Sequence, residues 1–371
     1  MPAATATPTT DLLAYVGCRT SKERNGTGRG ISIYRVDAAT GRWTLVDLVE
    51  GVFNPTFLAF DRPRRTLYCV HADRSEVSAF RIAPGSGRLS HLNTRDCGGP
   101  NPVHLTVDPA NRFLAVANYA NGTAGVLTIA ADGSLGELVS LLTLAGETGP
   151  HKTQQQGLYP HHIPFDPSER FLIVPDKGGD QVCVLRLDPA TGRLSLASTA
   201  KTRHGSGPRH IAFHPTRPFA YLANELDSTI ETFAWDAEQG VLSPLQILPS
   251  LPETYVGNNT TAEIEVAPSG NYVYISNRGH DSIGIFAVDG SSGHLRAVGW
   301  QATGGRQPRF FALAPGGGRL YAANELTHTI TSFSIDPSTG LLAAEGVAAE
   351  TGSPTCIIFT SVDAPKPDGG A

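Results

Sequence analysis

Residues 307–342 read QPRFFALAPGGGRLYAANELTHTITSFSIDPSTGLL. A first apolar run is entered through a Pro, and a second, LYAANE, follows a polar turn. A third, ITSFSI, alternates apolar and polar residues and closes on D-x-x-x-G, the pattern of a hairpin whose Gly takes a left-handed backbone conformation. These are consecutive short antiparallel strands. The opening phrase recurs at a spacing of about 50 residues, in the range of repeat architectures. Its copies are NPTFLAF from Asn54, NPVHLTV from Asn101, YPHHIPF from Tyr159, GPRHIAF from Gly207, TTAEIEV from Thr260, QPRFFAL from Gln307 and SPTCIIF from Ser353. Six copies carry Pro at the second place and the fifth carries Thr261.

Second strands follow in LYCVHA, FLAVANY, FLIVPDK, FAYLANE, YVYISNR and LYAANE, and third strands in ISIYRVDAATGRW, VCVLRLDPATGRL and IGIFAVDGSSGHL. Units of four short strands, none able to bury its own apolar faces, specify an all-β, seven-bladed β-propeller with four antiparallel strands per blade. The ends complete the count. The seventh first strand, in SPTCIIF, is followed only by TSVDAPKPDGGA, while LLAYVGC, GISIYRVD and WTLVDLV near the N-terminus have no first strand before them. One C-terminal strand must therefore pair with three N-terminal strands to close the ring. The expected organisation is a single propeller domain over 11–362, with tails at 1–10 and 363–371. A closed ring leaves no sheet edge in need of a partner, which allows a monomer and leaves the oligomeric state open.

Composition narrows the function. The 371 residues include 40 Gly and 27 Pro, which disfavours long helices, and 40% hydrophobic against 17% charged residues, enough apolar material for a large core. The net charge of −5 provides no general attraction for nucleic acid or an anionic membrane, and neither is expected as a partner. No apolar stretch reaches the ~20 residues of a membrane span. The start, MPAATATPTTD, lacks a basic n-region and an apolar h-region, so a cytoplasmic location is expected. Cys18, Cys69, Cys97, Cys183 and Cys356 show no CxxC spacing and read as small apolar side chains. The GxSxG, HExxH, GxxxxGK[ST] and GxGxxG motifs are all missing, and no metal or organic cofactor is expected.

Within an antiparallel blade, the start of the first strand and the end of the second lie at the same face of the disc. The residue after the Pro is Thr56, Val103, His161, Arg209, Ala262, Arg309 or Thr355, and the second strands of the first six copies end at Ala72, Tyr119, Lys177, Glu225, Arg278 and Glu325. The longest connections, AGETGPHKTQQQGLY and PSLPETYVGNN, lead into first strands and so emerge at the same face. The expected pocket holds His161, Arg209, Glu225, Arg278 and Arg309, with Glu325, Lys177 and His151 beside them and Tyr119 as the main aromatic. His162 is expected to point the other way. The repeated Asn118, Asn224, Asn277 and Asn324 read as turn-formers. Converging guanidinium groups suit a carboxylate or phosphate, and a His with a Glu can move protons near neutral pH. The expected partner is a small anionic molecule.

From AYVGC at residues 14–18 to SPTCIIF, with PHH followed by FDPSERFLIVPD, GPRHIAFHP, YLANELDSTI and ISNRGHDSI between, the chain resembles the seven-bladed propeller lactonases. That family includes bacterial 6-phosphogluconolactonases and fungal 3-carboxy-cis,cis-muconate lactonizing enzymes. The resemblance implies hydrolysis of a sugar-acid lactone, 6-phosphogluconolactone before others, with a small anionic lactone as substrate. It assigns His161, Arg209, Glu225 and Arg278 as the catalytic set. The family pattern PHxH is PHH here, which leaves His161 and His162 both open for the histidine role. A cycloisomerase using the same pocket is the alternative, and a non-catalytic binding platform a third reading.

Overall fold

The seven repeated phrases become the strands nearest the propeller axis in a computed structural model that describes residues 11–37 and 39–362. The expected tails lie outside the described residues. Each inner strand is hydrogen-bonded outward to three more in chain order; in the fourth blade these are Pro208–Phe213, Phe219–Asn224, Thr229–Asp236 and Val241–Pro249. The third blade keeps the position of its inner strand but only two isolated bridges, Pro160 to Asp176 and Phe165 to Leu172. Pro160 and Pro164 offer no N–H to a ladder there.

Ring closure joins the two ends of the chain. Pro354–Val362 pairs antiparallel with Asp11–Cys18, setting Tyr15 against Ile358 and Gly17 against Cys356, and Gly30–Val36 and Trp43–Glu50 complete the seventh sheet. Hairpin glycines take the expected left-handed conformation, with φ of 73 at Gly192, 74 at Gly293 and 72 at Gly340. In the hairpin at 188–192, the Asp188 carboxylate accepts from the backbone N–H groups of Ala190 and Thr191 at 2.8 and 3.0 Å.

Blades adhere through apolar faces that no blade could bury alone. One core cluster joins Tyr221, Ala223 and Ile230 of the fourth blade to Ile264, Ile275 and Phe286 of the fifth. Buried tyrosines add a polar tie: the hydroxyls of Tyr15, Tyr68 and Tyr274 donate to the carbonyls of Gly87, Gly133 and Gly340 in the next blade, at 2.6 to 2.9 Å. Asn118, Asn224, Asn277 and Asn324 are fully buried, and their amides bond neighbouring strands and turns, as Asn277 does to the Ser250 carbonyl at 3.1 Å. They are structural.

Two local features aim side chains at the axis. The residue before the Pro takes a positive φ at Asn54, Asn101, Gly207, Gln307 and Ser353. Its carbonyl accepts the backbone N–H of the residue ending the second strand: Glu225 to Gly207 at 2.7 Å, Glu325 to Gln307 at 2.9 Å, Lys177 to Tyr159 at 3.0 Å. Immediately afterwards the inner strand bulges. Pro208 opposes Asn224 but His210 opposes Ala223, so Arg209 is an extra residue, and the same shift occurs at Arg309 and Val103. A bulge breaks the strict alternation of a strand and re-aims side chains. Consecutive pairs such as Arg209 with His210, Arg309 with Phe310 and Thr56 with Phe57 therefore all reach the axial space.

Candidate functional site

The inner strands and the ends of the second strands enclose an axial cavity of about 230 Å³ at one mouth of the ring. One wall is ionic. Glu225, on the fourth blade, faces Lys177 Nζ at 3.2 Å, Arg209 Nε at 3.0 Å and Arg278 Nη2 at 3.2 Å. Burial alone would raise its pKa, but Arg278, Lys177, Arg209 and Arg309 outweigh that and hold the carboxyl well below its usual range. The guanidinium groups are held in turn. Arg209 donates to the Ala262 carbonyl and Arg278 to the Thr261 carbonyl, each at 2.7 Å. Lys177 also donates to Gln154 Oε1 at 2.9 Å and stands 5.4 Å from the Tyr119 ring centroid.

A second ionic group closes the arc. Arg19 Nε lies 2.6 Å from Glu325, whose other oxygen is 3.9 Å from Arg309 Nε. Arg309 makes no hydrogen bond among the described residues, so its donors remain available to the cavity. Crowding has a cost: burial, then Arg309 and Arg278, lowers the Arg209 pKa to about 9, and burial with Arg309 lowers that of Arg19 to about 10. Such crowding of like charge suits an anion held between them. At the rim, Arg24 forms a two-point pair with Asp73, with Nε at 3.0 Å from Oδ2.

Histidines form the rest of the wall and the floor. His161 lines the cavity, and its Nδ1 is buried without a partner. Burial, then Arg209 and His210, depresses its pKa well below the usual value, so the ring is neutral at pH 7. One layer deeper, Phe57, His104, His162, His210, Glu263, Phe310 and Cys356 occupy a single repeat position. His162 belongs to this layer, stacked on His210 with centroids 4.2 Å apart. The expectation that His162 points away from the axis is corrected by the extra residue between the bridges at Pro160 and Phe165. Its Nδ1 accepts the Ile211 N–H at 3.2 Å.

Of the sequence candidates, His161, Arg209, Glu225, Arg309, Lys177 and Tyr119 line the cavity. Arg278 and Glu325 stand behind the wall, tied to it by their ion pairs. His162 lies beneath it. His151 is exposed and outside; its Nδ1 accepts the backbone N–H groups of Thr153 and Gln154 and shapes the turn that presents Gln154. The 249–259 connection supplies no lining residue. Arg19, Arg24, Gln154 and His210 line the cavity without having been singled out. The signal for Arg19 was present: it ends the second strand of the seventh blade, and its N–H donates to the Ser353 carbonyl at 3.0 Å, the same bond that Glu225 makes to Gly207.

Among the described residues no group of three or more His, Cys, Asp or Glu side chains is placed to hold a metal ion, and no helix is long and apolar enough to cross a membrane.

The family model described as "Lactonase, 7-bladed beta-propeller" matches residues 13–359. The 6-phosphogluconolactonase of Bacillus subtilis (strain 168) is 33% identical over 304 residues, 81% of this chain and 85% of that protein. The 6-phosphogluconolactonase of Formosa agariphila is 30% identical over 309 residues, 81% and 85% of the two chains. Among solved structures, the periplasmic gluconolactonase of Pseudomonas aeruginosa superposes with a TM-score of 0.86 at 31% identity, covering 95% of this chain and 99% of its own. On these matches, the chain belongs to the seven-bladed β-propeller lactonase family.

Proposed function

We propose that this protein hydrolyses the lactone of a phosphorylated sugar acid, 6-phosphogluconolactone to 6-phosphogluconate, in the axial cavity. The observation that carries the reading is a charge surplus. Arg19, Arg24, Lys177, Arg209, Arg278 and Arg309 face only three carboxylates, Asp73, Glu225 and Glu325, leaving three positive charges unanswered in the ion-paired cluster. A phosphate brings between one and two negative charges near pH 7, and attack on the lactone carbonyl develops another on its oxygen. The names of the Bacillus and Formosa relatives support the same substrate.

Glu225 is a poor base, because three cations hold it ionised; its part is to fix Arg209 and Lys177. His161 takes the proton of the attacking water. Its proton affinity is depressed by burial and by the neighbouring arginines. A bound anion offsets those positive charges, so the imidazole becomes a stronger base when the cavity is occupied. Arg209 stabilises the oxyanion, and Arg309 holds the phosphate. The five cysteines are unpaired and buried, which suits a reducing compartment, and the cytoplasm is the proposed site of action.

The test is acid release, read with a pH indicator and corrected for spontaneous hydrolysis, from 6-phosphogluconolactone and glucono-lactone. Arg209→Ala is expected to lower turnover of the phosphorylated lactone by ~10²–10³-fold. Parental turnover in that variant overturns the mechanism. Consumption of 3-carboxymuconate in place of either lactone would establish the cycloisomerase alternative.

A further inference from the structure

We infer that His210, held by Glu263, is a second proton-carrying group of this site and protonates the ring oxygen that leaves when the lactone opens. The inference rests on the hydrolysis proposed above.

Three histidines share the floor layer, and one differs. His104 and His162 each accept a backbone N–H at Nδ1, from Ile163 at 3.3 Å and Ile211 at 3.2 Å, which fixes them as structural acceptors. His210 meets a carboxyl instead: its Nδ1 is 3.1 Å from Glu263. It also lines the cavity, where its Nε2 has no protein partner among the described residues. An imidazole oriented through Nδ1 by a buried carboxyl, with Nε2 free toward a reaction space, is the arrangement of a base–orienter pair. Stacking on His162 holds the ring, and its centroid is 5.2 Å from that of His161.

The surroundings decide where the proton rests. Arg209, Arg309 and Glu225 face His210 from the cavity side, and Arg278 acts on it from behind the wall. His161, His162 and His104 adjoin it, all neutral. Burial and the arginines disfavour an imidazolium, while burial pushes Glu263 up to about 8; Glu265 and Cys356 add no nearby cation. The pair therefore stores its proton on Glu263 near neutral pH.

As water attacks, its oxygen bonds to the lactone carbonyl carbon and one of its protons passes to His161. When the tetrahedral intermediate collapses, the bond from that carbon to the ring oxygen breaks and the electron pair goes to the oxygen. The oxygen takes the Nε2 proton of His210 while the Glu263 hydroxyl proton moves to Nδ1. The new carboxylic acid releases its proton to solvent, and the proton on His161 returns through water to the Glu263 pair. One water is consumed and one proton is released.

The test compares wild type, Glu263→Gln and His210→Asn on 6-phosphogluconolactone from pH 5.5 to 8.5, and on the ring-sulfur analogue, whose thiolate leaves without protonation. His210→Asn is expected to lower kcat by ~10²-fold on the oxygen lactone. Glu263→Gln should lower kcat by ~10-fold with KM unchanged and abolish the fall in wild-type kcat above pH about 8. On the thiolactone both losses should shrink to under ~3-fold. Glu263→Gln conserves shape, so the outcome does not hang on the folding of His210→Asn. Wild-type kcat and pH profile in Glu263→Gln overturns the inference, as does an equal loss on both substrates. A wild-type protein that opens neither lactone overturns the proposed function and this inference with it.

Discussion

Glu225 and Glu263 lie on adjacent blades, one at the mouth of the axial channel and one in its floor, and their environments push them in opposite directions. Glu225 has three cationic neighbours and stays ionised far into acid. Glu263 has one neutral imidazole and a distant arginine, and keeps its proton to about pH 8. Both are deeply buried, so burial cannot be the difference; the number of partnered cations is. On the proposed reading the mouth holds an anion and the floor holds a proton, and such divergence between neighbouring carboxyls lets one site run acid and base chemistry at a single pH.

Removing Glu225 should break the mouth. Glu225→Gln leaves Lys177, Arg209 and Arg278 buried without their carboxylate, and the expected loss is ~3–5 kcal/mol of stability at pH 7. Because the folded carboxyl has a lowered pKa, its contribution is present above the unfolded value of about 4.5 and is lost as pH falls through the folded one. Denaturant titrations at pH 7 and pH 3 should show the gap between variant and wild type narrowing in acid. Glu263 carries the opposite sign. Its raised pKa means full stability below about 4.5, declining as pH rises toward about 8. Glu263→Gln should therefore gain on wild type between pH 5 and pH 8; a parallel pair of curves would erase the contrast between mouth and floor.

The floor histidines sharpen the same contrast with a smaller effect. His162 is held neutral by burial, then by His210 and Arg209, so the folded state declines the proton that the unfolded chain takes up below pH ~6.5. Its stabilising contribution is complete above that pH and lost below it. His162→Phe should cost ~1–3 kcal/mol at pH 7, where the Ile211 N–H loses its acceptor. Below pH 6 the variant's stability should fall less steeply than wild type by ~1.4 kcal/mol per pH unit, the slope of one proton. Equal slopes would show that His162 is already charged in the fold.

How much of this was legible in the sequence follows from what repeats. Blade number, ring closure, hairpin glycines and the wall residues His161, Arg209, Glu225 and Arg309 all follow from a phrase copied seven times. Arg19 obeys the same rule, but its inner strand lies at the far end of the chain, so the pattern has to be carried across the closure to find it. His210 and Glu263 are hidden by the bulge: simple alternation turns the residue after Arg209 into the blade, and the extra residue brings it back to the axis. Arg24, on the short turn Lys22–Arg24, and Gln154 come from connections with no counterpart in other copies, so no periodicity could place them.

The smallest expected change in stability separates holding an anion from holding the fold. Arg309 has one ionic contact, 3.9 Å from Glu325, and depresses the proton affinity of both Arg209 and Arg19 by its charge. A wall residue kept for packing would be missed on removal; one kept for a ligand would not, because its repulsion of two neighbours vanishes with it. Arg309→Gln should leave stability within ~0.5 kcal/mol of wild type, by denaturant titration at pH 7. The same change should raise KM for the phosphorylated lactone by ~10-fold, the value of one lost charged hydrogen bond, while KM for the uncharged glucono-lactone moves far less. Loss of stability with no change in either KM would make Arg309 part of the scaffold and transfer the anion-holding role to Arg19, which also pairs with Glu325.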